Sequence, residues 1–186
     1  MKRWLGCADA LLMMIIHKVP SPAASQRLRT QYLYEGPVED PFTVGIENCD
    51  PKAPLVLFVY RFLPLGESQR LCALGRVFSG TVSQGSKIWV IGPQHKKCST
   101  FDIYEPTVES VFLGVGPQYT QALSSVVCGN IVTLTDIDRY LMKPGTVSDH
   151  PDCLPVKTVS YTSPILGMSV ATKESADLPK LIGGLK

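Results

Sequence analysis

From Leu55 to Val147 the chain is written in short β-branched and aromatic runs, each closed by turn residues after four to nine positions. No run is long enough for a typical helix, and period-two stretches separated by Gly, Pro, Ser and Asn are the signature of antiparallel sheet. Leu55-Val-Leu-Phe-Val-Tyr60 reads as a buried strand and Leu71 to Phe78 as a second, continued by Gly80 to Ser83 past a Ser79-Gly80 bend. Gln84-Gly85 forms a turn from which Lys87 to Ile91 is expected to return antiparallel. Further strands are expected at Thr107–Val115, Gly129–Thr135, Val156–Tyr161 and Ile165–Thr172, the last with Leu166, Met168 and Val170 on one face. About seven strands without intervening helices predict a mainly β fold, a closed antiparallel barrel or sandwich, and exclude parallel α/β folds.

The first 25 residues pose a separate question, since two basic residues, an apolar stretch and small residues are the ingredients of an export leader. Cys7 and Asp9 interrupt the apolar core, and the run Ala10–Ile16 ends at His17-Lys18, the wrong flank for cleavage. The run is also far short of the ~20 residues of a membrane span. Leu5, Ala8, Leu11, Leu12, Ile15, Ile16 and Val19 recur at helical steps, which predicts a buried helix stopped by Pro20-Ser-Pro22. Ser21–Pro54, rich in Pro, Gly, Ser and acid, reads as a connector whose only apolar knot is Tyr32-Leu33-Tyr34. At the far end Asp177 caps a helix with Pro179 in its first turn, and Leu178, Leu181, Ile182 and Leu185 make one apolar stripe. Both terminal helices are expected to present apolar faces to neighbours outside this chain, Leu11/Ile15 at one end and Leu178/Leu181/Leu185 at the other, and to promote self-association of the isolated piece. The expected organisation is 1–20, end of a preceding domain; 21–54, connector; 55–163, barrel; 164–186, start of a following domain.

The chemistry-bearing residues are sparse. Six cysteines at 7, 49, 72, 98, 128 and 153 show no paired ligand spacing, and His17, His95 and His150 are equally scattered, so no metal site is expected. There is no G-x-x-x-x-G-K-[ST] phosphate cradle, and Gly114-Val-Gly116 lacks a third glycine. Asp136/Asp138 and Glu105/Glu109 read as solvated turn acids rather than an acid–base pair. Eighteen basic against 16 acidic residues give a net charge of +2, so no global field selects nucleic acid or membrane. A secreted disulfide protein and a free-standing β-barrel binding module stand as rival readings, the first tested by counting free thiols.

Several strings in order resemble the eukaryotic and archaeal translation elongation factor 2 family. These are Ala8-Asp-Ala-Leu-Leu12 with Ile16-His17 and Pro20-Ser-Pro22, Leu33-Tyr-Glu-Gly-Pro37, Cys49-Asp-Pro51 with Pro54, Gly75-Arg-Val-Phe-Ser-Gly80, Cys128-Gly-Asn-Ile-Val132 and Ala176-Asp-Leu-Pro-Lys-Leu181. The resemblance spans almost the whole chain. It implies the β-barrel second domain of a translational GTPase, cytoplasmic, with no catalytic, cofactor or metal site of its own; GTP and Mg would be held by a GTPase domain upstream of Met1. It implies as partners that GTPase domain, the third domain and small-subunit ribosomal RNA. Arg70, Arg76, Lys87, Lys96, Lys97, Arg139 and Lys143 are the residues expected to touch RNA phosphate and sugar. Gly75 and Gly80 are expected to bend a strand in which Val77 fills the barrel and Arg76 points outward. Pro20-Ser-Pro22 and Ser163-Pro164 are expected to act as stiff pivots. The sequence departs from the family pattern at Arg61–Arg70 and Gln94–Tyr104, both read as surface loops, and related GTPases of the spliceosomal U5 particle and of ribosome assembly share much of the resemblance.

Overall fold

The computed structural model describes residues 6–64, 71–92, 95, 102–113, 121–141, 143–157 and 167–185. Three helices come first, α1 (Cys7–Lys18), α2 (Pro22–Leu33) and α3 (Pro41–Asn48). Ten strands follow: β1 (Val56–Pro64), β2 (Leu71–Ser79), β3 (Thr81–Ser83), β4 (Trp89–Ile91), β5 (Ile103–Tyr104), β6 (Val111–Leu113), β7 (Gln121–Leu123), β8 (Ser125–Val127), β9 (Ile131–Leu134) and β10 (Gly145–Ser148). A 3-10 turn, Ser175–Asp177, leads into α4 (Leu178–Leu185). The fold is mainly β, as its turn-punctuated middle predicts, and every strand pairing is antiparallel.

Eight strands form one sheet in the order β5-β4-β10-β1-β2-β9-β6-β7, and β3 pairs with β8. That small pair continues the β2–β9 ladder. At Gly80 the chain turns with φ +74°, and a β-carbon there would lie 2.7 Å from the Leu55 Cα, so only glycine fits the bend. Gly75 pairs with Val59 and Val132, and the β1–β2 register shifts at this point, between Val59 and Arg61, so the irregularity expected at this glycine lies in the facing strand. The segment preceding β4 also pairs with the segment preceding β6: Lys87 bridges Thr107, Gly85 N–H donates to Val108 O at 2.8 Å and Val108 N–H to Ser86 O at 3.0 Å. One continuous stretch, 103–113, thus hydrogen-bonds β4 through its first half and β9 through its second. Inside lies a core of Leu57, Val59, Val77, Val82, Ile88, Val90, Val108, Val111, Val126, Val132, Leu134 and Val147, all buried. Val77 points into it, as expected.

Four expectations are corrected. The 21–54 piece is no bare connector: Ser21 accepts from Ala24 N–H at 3.4 Å with Pro22 opening α2, and Pro41 opens α3 after Asp40, without a side-chain cap bond. Those helices lie on the outer face of the sheet, where Tyr34, Phe42 and Ile46 pack with Val56, Phe78, Ile91, Cys153 and Val156 as a second core. Lys87–Ile91 does not return against β3; β4 pairs with β10 and β5, because its partners are set by the sheet rather than by the Gln84-Gly85 turn. Residues 167–172 of the expected last strand are unpaired coil, with Met168 and Val170 84% and 66% exposed, since no neighbouring strand offers a ladder. α1 is a helix as predicted, but buries none of its residues.

The expected apolar faces are open, with Leu11, Ile15, Leu178 and Ile182 all exposed. Asp177, immediately before α4, accepts Lys180 Nζ at 2.9 Å. The first four residues of the expected loop Arg61–Arg70 belong to β1, and Ile103–Tyr104 of the second expected loop forms β5. Val156, where a further strand was expected, makes a single antiparallel bridge to Tyr34, and Lys157 N–H donates to Leu33 O at 2.8 Å. Residues 158–166 of the last two expected strands, with the Ser163-Pro164 junction, and Gly114–Gly116 lie outside the described residues. Among the described residues no helix is long and apolar enough to cross a membrane.

Candidate functional site

Four stretches far apart in the chain meet at one corner, where the helical layer joins the bent β2–β3 and β8–β9 ribbon. Asp50, just past α3, accepts Gly80 N–H at 2.9 Å; Gly80 in turn accepts Cys128 N–H at 3.0 Å. Val77 N–H donates to Asn130 O at 3.0 Å and Gly129 N–H to Val77 O at 2.8 Å, while Thr81 Oγ1 donates to Pro51 O at 2.9 Å. Cys128 Sγ donates to Cys49 O at 3.0 Å. Pro22 closes the corner from the helical side, 3.3 Å from where a β-carbon on Gly129 would sit. Burial, reinforced by the neighbouring Cys49 thiol, pushes the Cys128 thiol up to about 12.

Gln26 on α2 is the pin between the layers. It is 2% exposed, and its Nε2 donates to Ile46 O at 2.6 Å and to Phe78 O at 2.7 Å, satisfying one carbonyl of α3 and one of β2. The close approach also needs Gly45, where a β-carbon would fall 2.5 Å from Ser79 Oγ. A second clamp forms at the far end of α2. The Tyr34 hydroxyl accepts Leu154 N–H at 3.0 Å and sits 3.5 Å from Asp40 Oδ2 and 3.9 Å from Cys153 Sγ. Burial raises the Tyr34 phenol above its ordinary value, with Cys153 adding to it, and burial lifts the Cys153 thiol to about 12.

Of the expected RNA contacts, the described ones sit on three elements, Arg76 on β2, Lys87 just before β4, and Arg139 with Lys143 on the connection between β9 and β10. Arg76 is half-buried on the outer face of β2, its guanidinium 5.5 Å above the Phe78 ring and its Nε buried without a hydrogen-bond partner, so its outward direction is as expected but it is not a free surface cation. Arg139 is exposed and lies 3.6 Å from Asp136, on the connection between β9 and β10 that also carries exposed Lys143. Lys87, also exposed, precedes β4. Because β4 runs antiparallel to β10 with Trp89 opposite Ser148 and Ile91 opposite Thr146, Lys87 and Lys143 flank opposite ends of that pair. Arg70, Lys96 and Lys97 lie outside the described residues.

An open cleft of about 610 Å³ lies beside α3, lined by Asp40, Pro41, Phe42, Pro54, Asp149, His150 and Asp152. His150 Nδ1 is 3.4 Å from Asp152 Oδ2, and its ring leans on Phe42 with centroids 6.3 Å apart. Among the described residues no three His, Cys, Asp or Glu side chains converge as a metal site. Asp136 sits in a left-handed turn with φ 66° next to Arg139, the solvated arrangement its sequence suggested. No protein-family model matches the chain. The corner, Gln26 and the Tyr34 clamp were not singled out from the sequence. The strings that supply the corner were quoted for their resemblance but not for their meeting, and the signal for the helical layer lay in the Ser-Pro and Asp-Pro pairs that start α2 and α3.

Proposed function

We propose that this chain is a docking and coupling segment of a translation elongation factor of the elongation factor 2 kind, built on the closed second-domain barrel of translational GTPases. It hydrolyses nothing itself; GTP and Mg belong to a GTPase domain outside it, in a cytoplasmic protein that drives ribosomal translocation. The observation that carries the reading is the corner. Three of the six resembling strings, Cys49-Asp-Pro51, Gly75–Gly80 and Cys128–Val132, are scattered along the sequence yet are joined by backbone bonds, and Pro22 of a fourth stands against the turn at Gly129. Motif strings that converge on one joint are what a mechanical coupling element requires. Barrel closure is supported by the stretch 103–113, which pairs with both β4 and β9 and so links the two ends of the sheet. In a flat sheet β4 and β6 would stand roughly 24 Å apart at ordinary strand spacing, yet Val90 and Val111 belong to one buried core.

In this reading α1 and α4 carry the faces that meet the GTPase and third domains, and the exposed lysines and arginines contact small-subunit ribosomal RNA. Binding of the chain to purified small ribosomal subunits, titrated at low and rising salt, tests it. Association in the ~10⁻⁴–10⁻⁶ M range that weakens with salt, and is lost on charge reversal at Arg70, Lys96 and Lys97, is expected. No association at low salt removes the docking role. Closure has its own measurement: the Gly85, Ile88 and Val108 amides should exchange as slowly as those of β1 and β2.

A further inference from the structure

The same corner brings two thiols together across 79 residues of chain. Cys49 terminates α3 in the left-handed region, φ 51°, and Cys128 opens the turn into β9. Cys128 Sγ donates to the Cys49 carbonyl at 3.0 Å, and the neighbouring Cys49 thiol helps burial to raise the Cys128 thiol. A β-carbon on Gly129, the next residue, would stand 3.5 Å from Cys49 Sγ, so the Cys49 side chain is directed at this turn. Neither position depends on the thiols. Gly80 holds Asp50 on one side and Cys128 on the other through backbone bonds of 2.9 and 3.0 Å. Both cysteines are partly exposed, whereas Cys72 and Cys153 are 3% and 0% exposed and Cys7 lies on the separate helix α1.

Two thiols brought to one turn on independently fixed backbones are placed for a disulfide to form by side-chain rotation. We propose that Cys49 and Cys128 form a reversible disulfide, with a low-molecular-weight disulfide as oxidant. The Cys49 thiolate attacks one sulfur of the small disulfide, forming a mixed disulfide and releasing one small thiolate. The Cys128 thiolate then attacks Cys49 Sγ and releases the second. The two protein thiols give up two protons and two electrons, which convert one small disulfide into two small thiols. Cys49 takes the first step because the Cys128 proton is held by burial and by its neighbour. The second displacement is therefore slow near neutrality and accelerates with pH. Once formed, the bond staples the end of α3 to the bend at Gly80, replacing a single sulfur–carbonyl hydrogen bond as the side-chain link.

The reduced full chain is incubated with oxidised glutathione, alkylated, digested without reductant and mapped by mass spectrometry. A Cys49–Cys128 linked peptide pair, two fewer free thiols, a Tm raised by several degrees and reversal by dithiothreitol are expected. The closure rate should rise by about a hundredfold between pH 7 and pH 9, following the thiolate fraction of Cys128. Cys128→Ser should stop at a Cys49–glutathione adduct, and Cys7→Ser should leave the linkage intact. The proposal is overturned if, in the unmutated chain, Cys49 and Cys128 stay free, carry separate glutathiones, or pair with other cysteines.

Discussion

Helices α1 and α2 are each twelve residues long and opposite in character. The first is almost wholly apolar and buries nothing, with Ile16 71% exposed; the second, PAASQRLRTQYL, is polar and buries Gln26 and Thr30. The difference teaches that burial follows from what a neighbouring surface offers. α2 meets two backbone carbonyls that Gln26 can satisfy together, and Thr30 returns its hydroxyl to Gln26 O at 2.7 Å. α1 meets no such surface among the described residues, and its hydrophobicity alone holds it nowhere.

The comparison breaks most decisively at Gln26. Gln26→Ala removes a donor from the buried Phe78 carbonyl and one of the two donors to the Ile46 carbonyl, which also accepts Cys49 N–H at 3.2 Å, an expected loss of about 1–3 kcal/mol, or roughly 5 °C in Tm by thermal melt. A loss under about 0.5 kcal/mol would show that the apolar contacts of α3 alone hold the helical layer. Tyr34→Phe removes the acceptor for Leu154 N–H together with the hydroxyl's longer bonds to Asp40 and Cys153, and is expected to cost about 1–2 kcal/mol by urea unfolding, the smaller effect because the ring stays in place.

Alkali probes the same layer through Cys153. Its pKa in the fold is about 12, raised by burial, so between the ordinary thiol range and that value the unfolded chain releases a proton that the folded chain keeps. Stability is fully present below about pH 8.5 and falls as pH rises towards 12. Cys153→Ala should flatten that fall in Tm between pH 8 and pH 11; an unchanged slope would assign it to other groups. The smallest effect is expected on α1, where Leu11→Ser with Ile15→Ser should change stability by no more than about 0.5 kcal/mol. The same pair should reduce concentration-dependent self-association by analytical ultracentrifugation, which a buried α1 would not do.

The strand-rich middle, the Ser79-Gly80 bend, the Gln84-Gly85 turn and both terminal helices were legible because each is fixed by residues close in sequence. Strand β10 was not. Gly145-Thr-Val-Ser148 reads as polar turn sequence, yet it lies between β1 and β4 with all four residues buried, Thr146 accepting Val156 N–H at 2.8 Å. The opposite error arose at 167–172, where alternation without a neighbouring ladder makes no strand. The helical layer was hidden by composition, since Pro and acid were read as connector although Ser21-Pro22 and Asp40-Pro41 are helix starts. The corner could not be read at all, because its bonds join residues that only the sheet order brings together.

The Tyr34–Val156 bridge is antiparallel, with Leu33 and Lys157 bonded just outside it and Lys157 Nζ 3.3 Å from Glu35. The polypeptide therefore arrives and departs side by side. Tension applied directly across Leu33 and Lys157 would peel this pair apart one bond at a time, as a zipper opens, before any load reached the β1–β2 ladder. The module would yield first at its collar, leaving its interior intact and able to reclose.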